Sequence, residues 1–315
     1  MNTNPTVTAI AVGHLCQDNI CIANGFPKQN TSIHIKETEI QSGGAASQAI
    51  AAFSRLGGVA GFLGVIGKDE RGDWLVKDLK KERIDTSLID RVNGNSSFSF
   101  VYVNSKNAER TLFNYHDSLP AINFTQDKID YIQKATFLHL DGTMYENALE
   151  AAKIAKKANT LVSLDGCSLQ SENEKNLRLV KMADILITND CYPLALVDEK
   201  VLEKAMLKIA KFGARYVIAT CGEKGCIAVK NNEIIRYPAF KIKPVDTTGA
   251  GDVFHGAFLR ALELNYDLDN CIKFASAVSS INCLSIGGRK GIPSLKQTVN
   301  FINTNKFGNL EEKCL

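Results

Sequence analysis

Short apolar runs alternate with longer amphipathic stretches along most of the chain. Residues 7–13 (VTAIAVG) form a short, partly β-branched apolar run ending in glycine, a pattern typical of a buried strand. Residues 44–57 then place Ile50, Phe53 and Leu56 at helical spacing and are closed by a pair of glycines, which predicts a helix packed against a sheet. A strand followed by a helix is therefore the first recurring unit of the chain.

The same alternation continues downstream. Strands are predicted near residues 59–66, 136–140, 160–165, 184–188 and 215–220, and helices near residues 70–82, 146–157 and 199–212. A regular succession of strands and helices favours an α/β fold with a mainly parallel central sheet and helices on both faces. Ligands of such sheets bind beyond the carboxyl ends of the strands, so functional residues are expected there.

Two segments interrupt this rhythm, at residues 32–40 and 97–115. The first mixes polar and apolar positions, and the second alternates aromatic residues with serine before a polar turn and a second run, which predicts a hairpin. Small strands inserted at these positions could cover the ligand edge of the sheet as a lid. The hairpin aromatics are interpreted as one buried face, although they could also stack on a base: Phe98, Phe100 and Tyr102.

Composition narrows the classes of protein. The chain has 315 residues, of which 45% are apolar and 23% charged, and these values are ordinary for a globular protein. Its net charge of +3 is too small to predict a nucleic-acid or membrane surface, and no apolar stretch approaches the ~20 residues of a membrane span. Residues 1–7 lack the pattern of a secretory signal, so a cytoplasmic location with nine reduced cysteines is expected.

The segment with the clearest chemical meaning is DTTGAGD at residues 246–252, which leads directly into an apolar helical pattern. Gly249 and Gly251 leave the backbone amides unobstructed, and the unpaired N–H groups of a first helical turn form a site for phosphate. Asp252 places a carboxylate where an anion would bind. This carboxylate could accept a hydroxyl proton during phosphoryl transfer, or it could simply interact with the helix dipole.

The longer motif DTTGAGDVFHGAF resembles the C-terminal motif of the ribokinase, or PfkB-type, carbohydrate kinases. The resemblance implies that Asp252 is the catalytic base and that the amides of Gly249, Ala250 and Gly251 form the anion hole. It also implies a ribokinase-like α/β fold over residues 1–315 as a single domain. Such a fold has three α/β/α layers around a mainly parallel sheet, with the two inserted segments as a small β-strand lid.

Other motifs agree in order with the same family. Residues 42–49 (SGGAASQA) resemble its N-terminal glycine motif, residues 64–72 the segment that follows, and residues 220–225 (TCGEKG) its nucleotide-binding loop. The similarity extends over roughly residues 7–303. It implies ATP and Mg²⁺ as cofactors, with four ATP-binding residues: Asn189, Thr220, Gly222 and Gly225.

On the acceptor side, the resemblance implies that Asp18 binds sugar hydroxyls, since a carboxylate can accept two hydrogen bonds. Gly43 and Gly44 would approach the sugar closely. Ser47 stands where many relatives carry asparagine, which shortens the reach of this position. Arg110, in the lid, could meet a phosphate or another anion on the substrate, or could simply be solvated.

The motif that the family places near Mg²⁺ is incomplete in this chain. The family often shows Asn-x-x-Glu after the strand at 184–188, whereas this chain has Tyr192 in place of the glutamate. Mg²⁺ is therefore expected to be held mainly through the ATP phosphates.

The loop at residues 287–293 (GGRKGIP) resembles the loop that lies beside the nucleotide in relatives. Backbone carbonyls of this loop hold a monovalent cation there, which implies a K⁺ site at Asp246, Thr248 and Gly288. Arg289 in the same loop could cap a helix or pair on the surface.

These features together predict an ATP-dependent kinase that transfers the γ-phosphoryl group of Mg-ATP to a hydroxyl of a sugar or sugar derivative. A nucleoside kinase of the same fold is the nearest alternative. A sugar- or nucleotide-binding protein without turnover is another, suggested by Tyr192 and Ser47. Exposed edges of the lid strands could pair across a two-fold axis, which favours a homodimer.

Overall fold

The structure is a computed structural model that describes residues 6–106, 110–116, 119–166 and 173–307. Its strands are β1 (Ala9–Val12), β2 (Cys16–Ala23), β3 (Ile35–Gly43), β4 (Ala60–Leu63), β5 (Val65–Gly67), β6 (Ile84–Asp85), β7 (Asp90–Val92), β8 (Ser97–Asn104), β9 (Arg110–Tyr115), β10 (Phe137–Leu140), β11 (Leu161–Gly166), β12 (Ile185–Asn189), β13 (Tyr216–Thr220), β14 (Cys226–Lys230) and β15 (Glu233–Tyr237). Its helices are α1 (Ala45–Arg55), α2 (Glu70–Lys81), α3 (Gln126–Lys134), α4 (Tyr145–Lys157), α5 (Asn173–Met182), α6 (Cys191–Leu196), α7 (Leu202–Ala210), α8 (Ala250–Glu263), α9 (Leu268–Asn282) and α10 (Leu295–Thr304). The polar turn predicted between the two hairpin strands lies partly outside the described residues, at 107–109.

A nine-stranded sheet forms the centre of the fold, in the order β15-β14-β13-β12-β11-β10-β1-β4-β6. The strands from β6 to β13 pair in parallel, while β14 and β15 add two antiparallel strands at one edge. Parallel strands covered on both faces need continuous apolar runs, as in β1 (AIAV), where all four residues are buried. The predicted α/β fold with a mainly parallel sheet is confirmed.

Helices on both faces of this sheet produce two hydrophobic cores. On one face α1, α2, α8 and α9 pack on the sheet around Phe53, Phe258 and Phe274, which are fully buried. On the other face α3 to α7 pack around Ile132 and Met206. The molecule therefore has the three layers that the resemblance implied.

A separate four-stranded sheet, in the order β3-β2-β8-β9, forms the lid. The strand predicted at 32–40 lies at Ile35–Gly43, and the predicted hairpin is the antiparallel pair of β8 and β9. Sequence analysis missed β2, Cys16–Ala23, because polar residues interrupt its apolar alternation. This strand places Asp18 within the lid sheet, and not in a loop after β1.

The interpretation of the hairpin aromatics as one buried face is wrong. Successive side chains of β8 point to opposite faces of the lid sheet. Those on the inner face are small or aliphatic, and Ser99 and Val101 are each only 3% exposed. Phe100 lies on the opposite face and is 54% exposed. Tyr102 shares that outer face but is buried, and its hydroxyl donates a hydrogen bond to the backbone oxygen of Gly25.

Other boundaries differ by a few residues. The strand predicted at 59–66 is divided into β4 and β5, which belong to different sheets, since β5 pairs with β7. The helix predicted at 199–212 covers only Leu202–Ala210. None of the helices within the described residues is long and apolar enough to cross a membrane.

Candidate active site

The predicted glycine motif forms the start of α8, beside the carboxyl ends of β10 and β11. Gly249 is the N-cap and has a left-handed backbone, with φ of 70°, which glycine adopts without strain. A Cβ at Gly249 would lie 2.8 Å from the Cα of Gly288, so the motif packs directly on the 287–293 loop. No side chain caps this helix, and its first N–H groups are therefore available to an anion.

The amides predicted for the anion hole differ in their surroundings. The N–H of Ala250 donates to the backbone oxygen of Thr247 at 3.2 Å, so it is already engaged in the turn. Gly251 is exposed, and a Cβ built there would have no atom within 4 Å. The open space for a phosphoryl group therefore lies beside Gly251.

Asp252 follows in the first turn of α8 and is partly exposed to this space. Burial raises the pKa of its carboxyl to about 7, and the charges of Asp165 and Asp141 act in the same direction. His255 and Arg110 act to lower this pKa. A carboxyl group that titrates near neutral pH is suited to accept and release a proton.

A cleft beside the motif is lined by three of the four residues predicted to bind ATP, all except Asn189. Thr220, Gly222 and Gly225, from the end of β13 and the turn before β14, share this cleft with Ala250 and Gly251. Five further lining residues were not predicted to bind ATP, of which Phe254 lies on α8 itself and the others come from more distant parts of the chain: Ala239, Phe254, Ser276, Ser279 and Ser280.

Asn189 and Tyr192 lie at the carboxyl end of β12. The side-chain oxygen of Asn189 accepts hydrogen bonds from the backbone N–H groups of Cys191 and Tyr192, at 3.1 and 2.8 Å, and so holds the start of α6. Tyr192 is 4% exposed and belongs to the hydrophobic core. This position therefore carries a packing residue where the family motif has a carboxylate.

Asp18 and the two glycines at the end of β3, which were predicted to bind the acceptor, lie together in the structure. Asp18 accepts a hydrogen bond from the Cys16 thiol at 3.3 Å, and burial raises the pKa of its carboxyl. A Cβ at Gly43 would lie 2.2 Å from Oδ2 of Asp18, and one at Gly44, where φ is 97°, would lie 2.1 Å from the backbone oxygen of His14. Both positions therefore require glycine because of contacts within the protein.

Ser47 lies beneath these glycines and is fully buried. Its hydroxyl donates to the backbone oxygen of Gly43 at 2.7 Å. Arg289, 3% exposed, donates to the backbone oxygen and hydroxyl of Ser47 at 3.2 and 3.1 Å, to Gln48 Oε1 at 3.0 Å and to Asp78 Oδ2 at 3.1 Å. Arg289 thus joins the 287–293 loop to the glycine motif, and its predicted role as a helix cap or surface ion-pair partner is wrong.

Arg110 connects the lid to the catalytic motif. Its guanidinium donates to the hydroxyl of Thr248 at 3.2 Å, and its charge acts to lower the pKa of both Asp18 and Asp252. The side chain is exposed, and it forms no ion pair with any residue in the described ranges. Arg110 is therefore held to the 246–252 segment by a hydrogen bond and carries a charge that no acidic residue in the described ranges pairs with.

The residues predicted to hold a monovalent cation surround a buried carboxylate. Asp246 is 4% exposed and accepts hydrogen bonds from the N–H groups of Thr248 and Gly287, both at 2.8 Å. Asn282 donates to the backbone oxygen of Gly288 at 3.3 Å, while its own side-chain oxygen is buried with no hydrogen-bond partner in the described residues. The residues predicted to hold a monovalent cation therefore lie together, and the Asn282 side chain beside Gly288 has an oxygen with no hydrogen-bond partner among the described residues.

Sequence analysis missed a group of polar residues behind Asp252. They are Asp141, Asp165, His139 and His255, each no more than 4% exposed. Asp141 directly follows β10 and Asp165 lies at the end of β11, so their position at the carboxyl ends of predicted strands was an available signal. His255, three residues after Asp252 on one helix, was the other.

An uncapped helix start with open space beside it, a carboxylate in its first turn, and a lid over the carboxyl edge of a parallel sheet are the features expected of a phosphotransferase site. Residues 8–295 match the family model described as "pfkB family carbohydrate kinase". The chain therefore belongs to this family, whose members are phosphotransferases with an alcohol group as acceptor. The predicted enzyme class is confirmed.

Individual relatives agree over nearly the whole chain. The chain is 27% identical to a ribokinase of Haemophilus influenzae, covering 94% of this chain and 98% of the relative. It is 29% identical to a nucleoside kinase of Methanothermobacter thermautotrophicus, covering 92% and 94%. A structure of Arabidopsis thaliana ribokinase complexed with ribose and ATP superposes with a TM-score of 0.81 at 22% identity, covering 94% and 99%, which confirms the ribokinase-like fold.

Proposed function

We propose that this protein transfers the γ-phosphoryl group of Mg-ATP to a hydroxyl of a sugar or sugar derivative. ATP would bind in the cleft between the 220–226 turn and the 287–293 loop, with its terminal phosphoryl group at the start of α8. The acceptor would lie against Asp18 under the lid. The observation that carries this proposal is the Asp252 carboxylate, which stands in the first turn of an uncapped helix between the nucleotide cleft and the lid.

Asp252 would act as the catalytic base. As the acceptor oxygen attacks the terminal phosphorus, the hydroxyl proton passes to the Asp252 carboxylate and the bond to the leaving ADP oxygen breaks. The amides at Gly251 and the start of α8 would stabilise the charge on the transferred group. Arg110 and the lid would exclude water, which is a competing acceptor.

Bound metal ions would complete the charge balance at this site. Mg²⁺ would neutralise charge on the ATP phosphates. Among the described residues no cluster of three acidic, histidine or cysteine side chains offers it a protein site. K⁺ would be held by Asp246, Thr248 and Gly288, supported by the unused oxygen of Asn282, and would keep the 287–293 loop in place against Gly249.

The test is the substitution Asp252→Asn, which preserves the shape of the side chain but removes the proton acceptor. We expect kcat to fall by roughly 10²–10⁴-fold with little change in stability. Asp127, an exposed carboxylate in the first turn of α3, supplies the matched control, because Asp127→Asn removes the same kind of helix-dipole interaction away from the site. Near-normal turnover of Asp252→Asn would show that this carboxylate only stabilises its helix.

The similarity to a nucleoside kinase supports a second candidate function. In this version Asp18 would hold a ribose and an aromatic residue would stack on the base. The predicted stacking residues Phe98 and Phe100 lie on the outer face of the lid, opposite to Asp18, which favours a sugar acceptor.

A panel of D-ribose, D-fructose, D-glucose, adenosine and cytidine with Mg-ATP, read as ADP release, separates the two candidate functions. Shifts in melting temperature with sugar but no ADP release would instead indicate a binding protein without turnover.

We also propose that the protein forms a homodimer through its lid and works in the cytoplasm. The outer lid face exposes a row of apolar side chains across three strands: Ile40, Phe100 and Phe113 are 51%, 54% and 55% exposed. Such a row favours burial against a second copy. Free thiols on seven described cysteines are in keeping with a reducing compartment.

Light scattering tests the dimer. The wild type should show twice the chain mass of 34.4 kDa, and Phe113→Lys should show the single mass. A monomeric wild type would exclude the dimer without affecting the kinase proposal.

A further inference from the structure

Three buried polar side chains behind Asp252 have no part in the proposed transfer. His139 on β10, Asp165 on β11 and His255 on α8 are 0%, 4% and 3% exposed. Burying such groups is costly unless they bind one another or serve the site. Their contacts decide which of these applies.

The closest contact in this cluster joins α8 to β11. Nε2 of His255 lies 3.3 Å from Oδ1 of Asp165, and since a carboxylate can only accept, this ring nitrogen carries the hydrogen. His139 stands beside the pair, with its ring centre 5.2 Å from that of His255 and its Nδ1 3.2 Å from the Ser163 hydroxyl. The second ring nitrogen of each histidine has no hydrogen-bond partner in the described residues.

The helix geometry connects this pair to the base. Asp252 and His255 are three residues apart on α8 and so lie on the same side of the helix. Whatever holds the His255 ring therefore also orients the helical turn that carries Asp252. Asp165, the partner of His255 in this contact, belongs to the central sheet and lies at the carboxyl end of β11.

Charged or titratable groups from four parts of the fold act on Asp252. Asp165 from β11 and Asp141 after β10 raise its pKa, whereas His255 on α8 and Arg110 on β9 lower it. Burial and the neighbouring His255 lower the pKa of His139 to about 3, so this ring is neutral during turnover. The pKa of the Asp252 carboxyl thus depends on how far the negative charge of Asp165 is compensated by its neighbours.

We propose that His255 is a positioning residue, which holds the Asp165 carboxylate through Nε2–H and thereby sets the pH range in which Asp252 accepts the hydroxyl proton. This inference rests on the proposed function, because it requires Asp252 to be the base. Neither His255 nor Asp165 exchanges a proton with the substrate. The hydroxyl proton goes to Asp252 alone.

Two substitutions with opposite expected effects test the proposal. His255→Leu removes the Nε2–H donor and leaves the Asp165 charge less compensated, so the acid limb of kcat/KM should move up by about one pH unit. Asp165→Asn removes the charge itself with little change in shape, so the acid limb should move down by about one pH unit. Both profiles are measured from pH 5 to 9 with Mg-ATP and the fastest acceptor among D-ribose, D-fructose and adenosine.

Two further variants supply controls. His255→Gln retains an N–H donor to Asp165, so it should move the acid limb less than His255→Leu does. In an Asp165→Asn background, His255→Leu should move the acid limb less than it does in the wild type, because the Asp165 charge that it would otherwise leave less compensated is gone. Denaturation curves for each variant show whether it is folded. If His255→Leu is not folded, the isosteric Asp165→Asn still tests the proposal through its own expected shift.

The outcomes separate the two proposals. If Asp252→Asn abolishes turnover but the acid limb stays unmoved in both single variants, His255 and Asp165 are structural and only the positioning role is overturned. If Asp252→Asn turns over normally, the proposed function itself fails. Opposite shifts, with a smaller shift in His255→Gln than in His255→Leu, support both.

Discussion

Arg289 provides the strongest test of how the site is held together. Its guanidinium makes four hydrogen bonds, to Gln48, Asp78 and twice to Ser47, and it is 3% exposed. The substitution Arg289→Met preserves much of the apolar stem but removes all four donors. Asp78 would then retain only its contacts to the hydroxyl and N–H of Ser42, at 2.6 and 3.3 Å, and a more distant Lys81.

The expected magnitude follows from burial. Removing one partner of a buried ion pair leaves an uncompensated charge and unpaired polar atoms, and costs about 3–5 kcal/mol of the free energy of unfolding. Lys290 is the matched control, since it is the next residue and its ion pair with Glu39, 3.5 Å long, has side chains 56% and 35% exposed. Lys290→Met should cost at most about 1 kcal/mol.

Urea or guanidinium denaturation measures both changes, provided that the slope of the transition is similar in all variants. The double variant with Asp78→Asn should lose less than the sum of its single variants, with a coupling energy of about 1–3 kcal/mol. If Arg289→Met cost no more than Lys290→Met, the buried network would contribute nothing measurable. The reasoning from burial would then be refuted.

Three shorter predictions concern packing, the anion site and pH. Gly256→Ala should destabilise the fold by about 3 kcal/mol, measured by the same denaturation, because its Cβ would lie 1.8 Å from the backbone oxygen of Ala49 on α1. Gly251→Ala should gain up to about 1 kcal/mol of stability, because alanine is the better helix residue. The same substitution should lower kcat, because the methyl group enters the space proposed for the phosphoryl group. An unchanged kcat would contradict that placement. His139 has a folded pKa of about 3 against an ordinary 6.5, so the unfolded chain binds more protons between these values and stability falls as the pH falls. His139→Gln should therefore reduce the slope of unfolding free energy against pH by about 1.4 kcal/mol per unit near pH 5, and an equal slope in the two proteins would show that His139 is not neutral in the folded state.

The local elements were largely predictable because their signals are local. Continuous apolar runs such as that of β1 and the helical spacing of Phe53 and Leu56 indicate buried strands and helices without knowledge of their neighbours. The same holds for the catalytic motif. Glycine at 249 and 251 followed by an acid has a chemical meaning that depends on a single helix start.

Other features could not be predicted because they depend on contacts between distant residues. The inner face of the lid was assigned to its aromatic residues, since hydrophobic side chains are usually buried. The site beneath the lid instead holds Asp18 and Ser99, and Phe100 faces outward. Likewise, nothing near Arg289 in the sequence indicates Asp78 or Ser47, which lie more than 200 residues earlier.

The amino-acid sequence by itself determined the α/β alternation, the glycine-rich helix start and the acid within it, because backbone conformation, periodicity and helix-end chemistry are properties of neighbouring residues. Only the tertiary structure decided that Arg289 is buried, that Tyr192 packs in the core, and that His255 contacts Asp165 behind Asp252. The energies of buried charges depend on which groups surround them in three dimensions, and those groups come from strands and helices that the chain brings together only when it folds.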